Sequence, residues 1–335
     1  MVHPWMQYVD RFCHQYLQLQ PRLDYPPSET LRLAEAQDAI YTRLFDANAL
    51  PGGPPDRYRG RTLKELVVRI EAAIDDWDEH AVSDHLMAAL SMLLGAPLPP
   101  EAASAQERCR VQHHLSSLPR GDEMTAWNEP TITLMESPQL ISAAGTTGLR
   151  TWEAALHLGQ YLCLHTDIVV GKRVLELGAG TGYVSILCAR HLSCAHVVAS
   201  DGSDEVVGKL ADSFLLNHVD QDPSRISAQK LHWGEASDVD NWPAEVVLGA
   251  DVIYDLRSVP ALVDTIVWAM EASSGVEAYI SATQRNEMTL DAFVDACHRR
   301  DVNVEQVDFP VLPWAQQRGP FYNDQVVIRI YRLWR

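Results

Sequence analysis

The chain has 335 residues, 47% of them hydrophobic, which is room for one large domain or two and for a sizeable core. A net charge of −18 argues against the basic stripe of a nucleic-acid surface, and leaves open either a basic, lysine-bearing partner or plain solubility. No apolar run approaches the roughly 18 residues of a membrane span, no basic and apolar leader opens the chain, and the six cysteines form no C-x-x-C pair, so the expectation is a soluble cytoplasmic protein with reduced core thiols.

Residues 1 to about 95 read as helical. Trp5, Val9, Phe12, Tyr16 and Leu19 share one face of a helix over about 4–19. A second helix spans about 29–46, and Pro51-Gly52-Gly53-Pro54-Pro55 ends it. Thr62-Leu63-Lys64-Glu65 reads as a capping box for a third helix through Ile74 and Trp77. A fourth carries Leu86, Leu90 and Leu93 and stops near Gly95. His113-His114 lacks carboxylate or cysteine partners at metal-ligand spacing, so no metal is expected. Residues 96–125, rich in Pro, Ser and Ala, read as a linker.

From Thr131 the pattern changes. Residues 131–135 and 139–142 flank Ser137-Pro138 as a hairpin, and a helix from Trp152 to Leu162 follows. Strands are then expected near 173–177, 196–200, 226–231, 245–250, 276–282, 304–308 and 325–331. Helices near 183–192, 204–217, 258–272 and 287–299 separate most of them, the alternation of a parallel sheet covered on both faces. Pro310, Pro313 and Gly319-Pro320 leave no helix before the last strand, which is therefore expected to be antiparallel.

The first of these strands runs into Glu176-Leu177-Gly178-Ala179-Gly180-Thr181-Gly182. Glycines let the backbone turn tightly and approach a ligand, and the next helix aims free N–H groups at it. The dinucleotide fingerprint is G-x-G-x-x-G; the spacing here is G-x-G-x-G, with Glu176 two residues ahead. That carboxylate repels a pyrophosphate and attracts a cationic ligand such as S-adenosylmethionine. An ordinary tight turn is the plain alternative.

Ligands in such sheets sit beyond the carboxyl ends of the strands. Asp201 closes the second strand, placed to accept ribose hydroxyls, to cap the helix that follows, or to do both. Trp233 follows the third strand, for an adenine ring or for the core. Gly249 and Ala250 are small enough to admit a cofactor after the fourth, and Asp251 and Tyr254 then reach the point of transfer. For Asp251 a strand-end hydrogen-bond acceptor is the alternative.

Trp152 with its helix, Glu176-x-Gly178-x-Gly180-x-Gly182, Asp201, Leu231-x-Trp233-Gly234 and Asp251-Val252-Ile253-Tyr254 together resemble the seven-β-strand protein-lysine methyltransferases of methyltransferase family 16. The resemblance covers about residues 127–335, and the helical region before it is similar to the branch that methylates elongation factor 2. It implies an α/β fold: a Rossmann-like seven-stranded sheet, mostly parallel with an antiparallel last strand, in residues 126–335. An N-terminal α-helical accessory domain with its linker fills residues 1–125. It implies S-adenosylmethionine as cofactor and a lysine of elongation factor 2 as substrate, while charge, hydropathy and ligand spacing lead to an expectation of no nucleic acid, membrane or metal. Trp152, Gly178, Ala179, Gly180, Asp201, Trp233 and Ala250 would line the cofactor site. Glu176 would hold the methionine amino group, directly or by orienting the turn. Asp251 and Tyr254 would guide the substrate lysine. His232 departs from the acidic residue many relatives carry. The other readings are a methyltransferase acting on another protein or a small molecule, and a non-catalytic adaptor that retains the fold.

Overall fold

The computed structural model describes residues 3–46, 49, 52–97, 108–118, 130–137, 148–222, 224–235 and 243–335. The chain divides into two compact units, one of residues 1–139 with 318–321, the other of 140–317 with 322–335.

The first unit contains helices α1 (Met6–Leu17), α2 (Ser28–Leu31), α3 (Ala34–Leu44), α4 (Asp56–Ala73) and α5 (Asp84–Gly95). Its core is the apolar stripe each helix turns inward: Val9, Phe12 and Tyr16 of α1, Ile40 and Leu44 of α3, and Leu63, Leu66, Val67 and Ile70 of α4. Leu19 lies beyond the end of α1, with a φ of +57°. The segment read as one helix over 29–46 is two, interrupted where Leu33 takes an extended backbone. Helix α4 starts six residues before Thr62. Pro55 ends the extended entry and Asp56 supplies a first-turn acid, so Thr62 is a buried interior residue and not a cap. Trp77 lies outside α4 and is 61% exposed.

Part of the stretch read as linker is a strand. β1 (Cys109–His114) pairs antiparallel with β2 (Thr131–Glu136), from Cys109 opposite Glu136 to His114 opposite Thr131. The hairpin expected around Ser137-Pro138 is therefore not the pairing that β2 makes; its second arm, 139–142, lies outside the described residues. His113 Nε2 lies 3.2 Å from Glu136 Oε1, inside this two-stranded sheet. His114 stacks on His14 with ring centroids 3.5 Å apart. The Gln18 amide closes on the backbone of Phe321, accepting its N–H at 2.7 Å.

The second unit is the α/β fold that the alternation predicts. Seven strands, β3 (Arg173–Leu177), β4 (His196–Asp201), β5 (Ile226–Lys230), β6 (Val246–Ala250), β7 (Glu277–Thr283), β8 (Asn303–Val307) and β9 (Ile328–Trp334), lie in the order β5-β4-β3-β6-β7-β9-β8. β9 runs antiparallel to both of its neighbours; the other pairings are parallel. The helices are α6 (Glu153–Leu164), α7 (Tyr183–Ile186, continued as a wider π turn over Leu187–His191), α8 (Asp204–Leu216), α9 (Val259–Ala272) and α10 (Glu287–Arg299). One core packs β3, β6 and β7 (Leu175, Val247, Ile280) against α9 and α10 (Leu262, Ile266, Phe293). Strand order reverses at β3, between β4 and β6, and the glycine turn lies at the carboxyl end of β3.

Candidate active site

The turn after β3 needs its glycines. Gly178, Gly180 and Gly182 have φ of +67°, +54° and +86°, where a side chain is strained. A Cβ on Gly178 would meet Val252 Cγ1 at 2.8 Å, and one on Gly182 would meet Leu210 Cδ2 at 2.8 Å. Ala179 N–H donates to Ser200 O at 2.8 Å, fastening the turn to β4.

Every residue expected at the site lines one cleft of about 1030 Å³: Trp152, Glu176, Gly178, Ala179, Gly180 and Asp201, with Trp233, Ala250, Asp251 and Tyr254. The strand order makes this possible, because β4, β3 and β6 are adjacent and in register, and all end at the same edge. Trp152 stands at the N-terminus of α6 and faces the same space.

Glu176 is 2% exposed. It accepts a hydrogen bond from the Ser185 hydroxyl of α7, tying the strand to the helix across the turn. Burial pushes its carboxyl up to about 8, and the Ser185 hydroxyl and N–H oppose this. Asp201 accepts Gly180 N–H at 3.2 Å on one oxygen and Ser203 N–H at 3.0 Å on the other. Burial raises its pKa and those backbone donors lower it. The cap of α8 is Ser203, whose hydroxyl accepts Val206 N–H at 3.4 Å, so Asp201 is not the helix cap that the sequence allowed. Trp233 is both things the sequence allowed, packed against the core and facing the cleft.

Asp251 sits in the left-handed region with φ +57° and is 8% exposed, while Tyr254 is 54% exposed at the rim. Its carboxylate is an acceptor at a strand end, taking Thr283 N–H at 3.3 Å and Arg285 Nη2 at 2.6 Å. Arg285 and Ser185 are among the residues that sequence reasoning missed. Arg285 follows β7, so the same carboxyl-end rule could have found it. Ser185 is one turn into the helix that follows Gly182. Arg150, also at the cleft, places its guanidinium over the Trp152 ring at 4.3 Å from the centroid. Thr151 and Thr181 join their hydroxyls at 2.8 Å.

The family model for lysine methyltransferases matches residues 135–300. A protein-lysine N-methyltransferase, EFM3, of Chaetomium thermophilum is 49% identical over 332 residues, covering 97% of each chain. The chain belongs to the lysine methyltransferase family. The Saccharomyces cerevisiae EFM3 is 36% identical over 186 residues, 50% of this chain and 53% of its own. A mouse protein-lysine N-methyltransferase, EEF2KMT, is 26% identical over 301 residues, 86% of this chain and 82% of its own. The protein is thus a protein-lysine N-methyltransferase acting on a protein substrate, and its methyl donor is S-adenosylmethionine. The cleft fits that donor: a glycine cradle that a Cβ would fill, a buried carboxyl for a cation, and a second carboxyl whose oxygens keep lone pairs for hydroxyl donors. Among the described residues no cluster of His, Cys, Asp or Glu is arranged for a metal ion, and no helix is long and apolar enough to cross a membrane.

Proposed function

We propose that the protein methylates a lysine of elongation factor 2 in the cytoplasm. Residues 126–335 carry the reaction, and residues 1–125, including the strand Cys109–His114, form an accessory region. The observation that carries the reading is that Asp251 and Tyr254 line the same cleft as the glycine turn and Asp201. The substrate is supported by the resemblance of the sequence to the elongation factor 2 branch and by the similarity to proteins named EFM3 and EEF2KMT.

In this reading Glu176 takes the amino group of the cofactor's methionine, Asp201 the ribose hydroxyls, and Trp233 flanks the adenine. Gly178, Ala179 and Gly180 give the close backbone approach, and Trp152 and Ala250 close the walls. The bound donor supplies a methyl group on a positively charged sulfur. The substrate nitrogen needs its lone pair, and presenting a free lysine neutral at pH 7 costs about 4–5 kcal/mol. Partial desolvation in the cleft and a neighbouring positive charge lower that cost. Asp251 orients the amine, and the Tyr254 ring walls the channel and favours a cationic product. Alignment of the reacting atoms supplies most of the acceleration.

The test uses elongation factor 2 purified from cells that lack this enzyme, with labelled S-adenosylmethionine. Label on a lysine of elongation factor 2, lost with Asp251→Ala, is the expected result. Label found only on other proteins would reject the substrate. Undiminished transfer by Asp251→Ala would reject the role of Asp251.

A further inference from the structure

Asp251 is held almost entirely by the end of β7. Its own N–H donates to Ser281 O at 2.8 Å. One carboxylate oxygen accepts the Thr283 N–H, and the other accepts Arg285 Nη2 at 2.6 Å. The side chain of Asp251 is 5% exposed, whereas that of Arg285 is 45% exposed. The guanidinium of Arg285 also lies over the Trp152 ring, 4.9 Å from its centroid. The aspartate is therefore fixed and dry, and its counter-charge is at the mouth of the cleft.

This arrangement matters for the proton on the substrate. An unpaired carboxylate within about 4–6 Å of an amine favours the ammonium by roughly 1–3 pKa units. An ammonium has no lone pair and accepts no methyl group. A carboxylate already paired with a guanidinium still has lone pairs to orient an N–H, since each oxygen accepts more than one hydrogen bond. Its net pull on the proton is largely cancelled. The other ionisable groups facing the cleft are Glu176 from β3, Tyr183 from α7, Asp201 from β4, His232 after β5, Tyr254 after β6 and Arg150 before α6. Among the described residues Arg285 is the cation that pairs with Asp251.

We propose that Arg285 is a positioning residue for methyl transfer, which clamps Asp251 and cancels its charge so that the carboxylate orients the substrate amine without holding it protonated. The amine gives its proton to water. The nitrogen lone pair then forms the new N–C bond as the S–CH3 bond breaks, and that bond's electron pair stays on the donor's sulfur. The inference rests on the reading that Asp251 meets the substrate lysine.

The test measures kcat and KM for elongation factor 2, from cells lacking this enzyme, across the neutral-to-alkaline range with the full chain. Arg285→Gln should move the rise of kcat about one pH unit upward, giving about a tenfold loss near neutrality that is regained in alkali. KM for the protein substrate should not rise, because the freed carboxylate holds the ammonium more tightly. Arg285→Lys, which keeps the charge, should keep the wild-type pH profile. Arg285→Met, which preserves the stem against Trp152, repeats the measurement if the glutamine variant does not fold. A loss of rate equal at every pH would make Arg285 a mere support and overturn the proposal, as would a shifted profile for Arg285→Lys. Asp251→Asn with wild-type kcat would overturn the underlying reading of Asp251. An inactive Asp251→Asn beside an unshifted Arg285→Gln would overturn this inference alone.

Discussion

At Glu176 the chemistry turns on one proton. Burial holds its carboxyl at about 8, so without a cation beside it the group is mostly protonated near neutrality. A methionine ammonium placed against it favours the charged form, and binding then releases a proton. In the mildly acid range, where the free ammonium is fully protonated, cofactor affinity should rise with pH by up to about tenfold per unit. Calorimetry in buffers of different protonation enthalpy counts the proton directly. Glu176→Gln should abolish the pH dependence and weaken binding by about 1.5–3 kcal/mol, the range of a hydrogen bond to a charged group. A wild-type affinity that is flat with pH would reject the contact. The same shift has a consequence for folding in the absence of ligand. The folded pKa lies above the ordinary 4.5, so the folded state binds the proton more tightly than the unfolded chain does. Stability contributed by this group is therefore present below about 4.5 and is lost as pH rises through about 8. Glu176 was legible in the sequence because it precedes the glycines at fixed spacing. Its partner Ser185 was not, because nothing in helical spacing says which hydroxyl turns back across the loop. The pairing of Arg285 with Asp251 was hidden for a related reason: the two follow different strands, and only the sheet order sets β6 beside β7.

At the scale of the element, the glycine turn separates two kinds of demand. Gly178 combines a φ of +67° with an imaginary Cβ only 2.8 Å from Val252. Gly180, at φ +54°, would place its Cβ 3.6 Å from Gly148 Cα, an ordinary contact. Gly178→Ala should therefore destabilise the protein by about 2–4 kcal/mol, from left-handed backbone strain plus overpacking. Gly180→Ala carries only the backbone term, about 1–2 kcal/mol. Thermal or denaturant unfolding of the two variants checks the order, and equal losses would show that the Val252 contact relaxes freely. The central strands β3, β4, β6 and β7 of this unit were readable because short, mostly apolar and buried segments alternate with amphipathic helices. The helical unit was read less well. Thr62 and Glu65 match a capping box in composition, yet Pro55-Asp56 supplies an earlier start, and a helix with a buried stripe propagates through a false cap. The strand Cys109–His114 lies in a stretch judged by its neighbours' Pro and Ser content. Its alternation of buried and half-buried residues appears only once Thr131–Glu136 pairs with it.

The charge of the whole molecule bears on how a protein substrate is captured. An excess of 18 negative charges creates an attractive field for a lysine-bearing, basic surface, and it acts before any contact forms. Such a field is screened over about 10 Å at 0.1 M salt and about 3 Å at 1 M. The Asp251–Arg285 pair, in contact at 2.6 Å and with the aspartate buried, lies inside even the shorter length. Salt should then act on encounter and leave chemistry alone. Raising the ionic strength from about 0.05 to 0.5 M is expected to increase KM for the proposed substrate, elongation factor 2, by about three- to tenfold, with kcat changing less than about twofold. Steady-state kinetics over a salt series, repeated with potassium chloride and potassium glutamate to separate screening from specific anion binding, gives both constants. A KM independent of salt would assign capture of the substrate to apolar and hydrogen-bonding contacts, and the acidic surface to solubility. A kcat that fell with KM unchanged would instead point to the cleft's own ion pair as the salt-sensitive element, and would contradict the screening argument for Asp251 and Arg285.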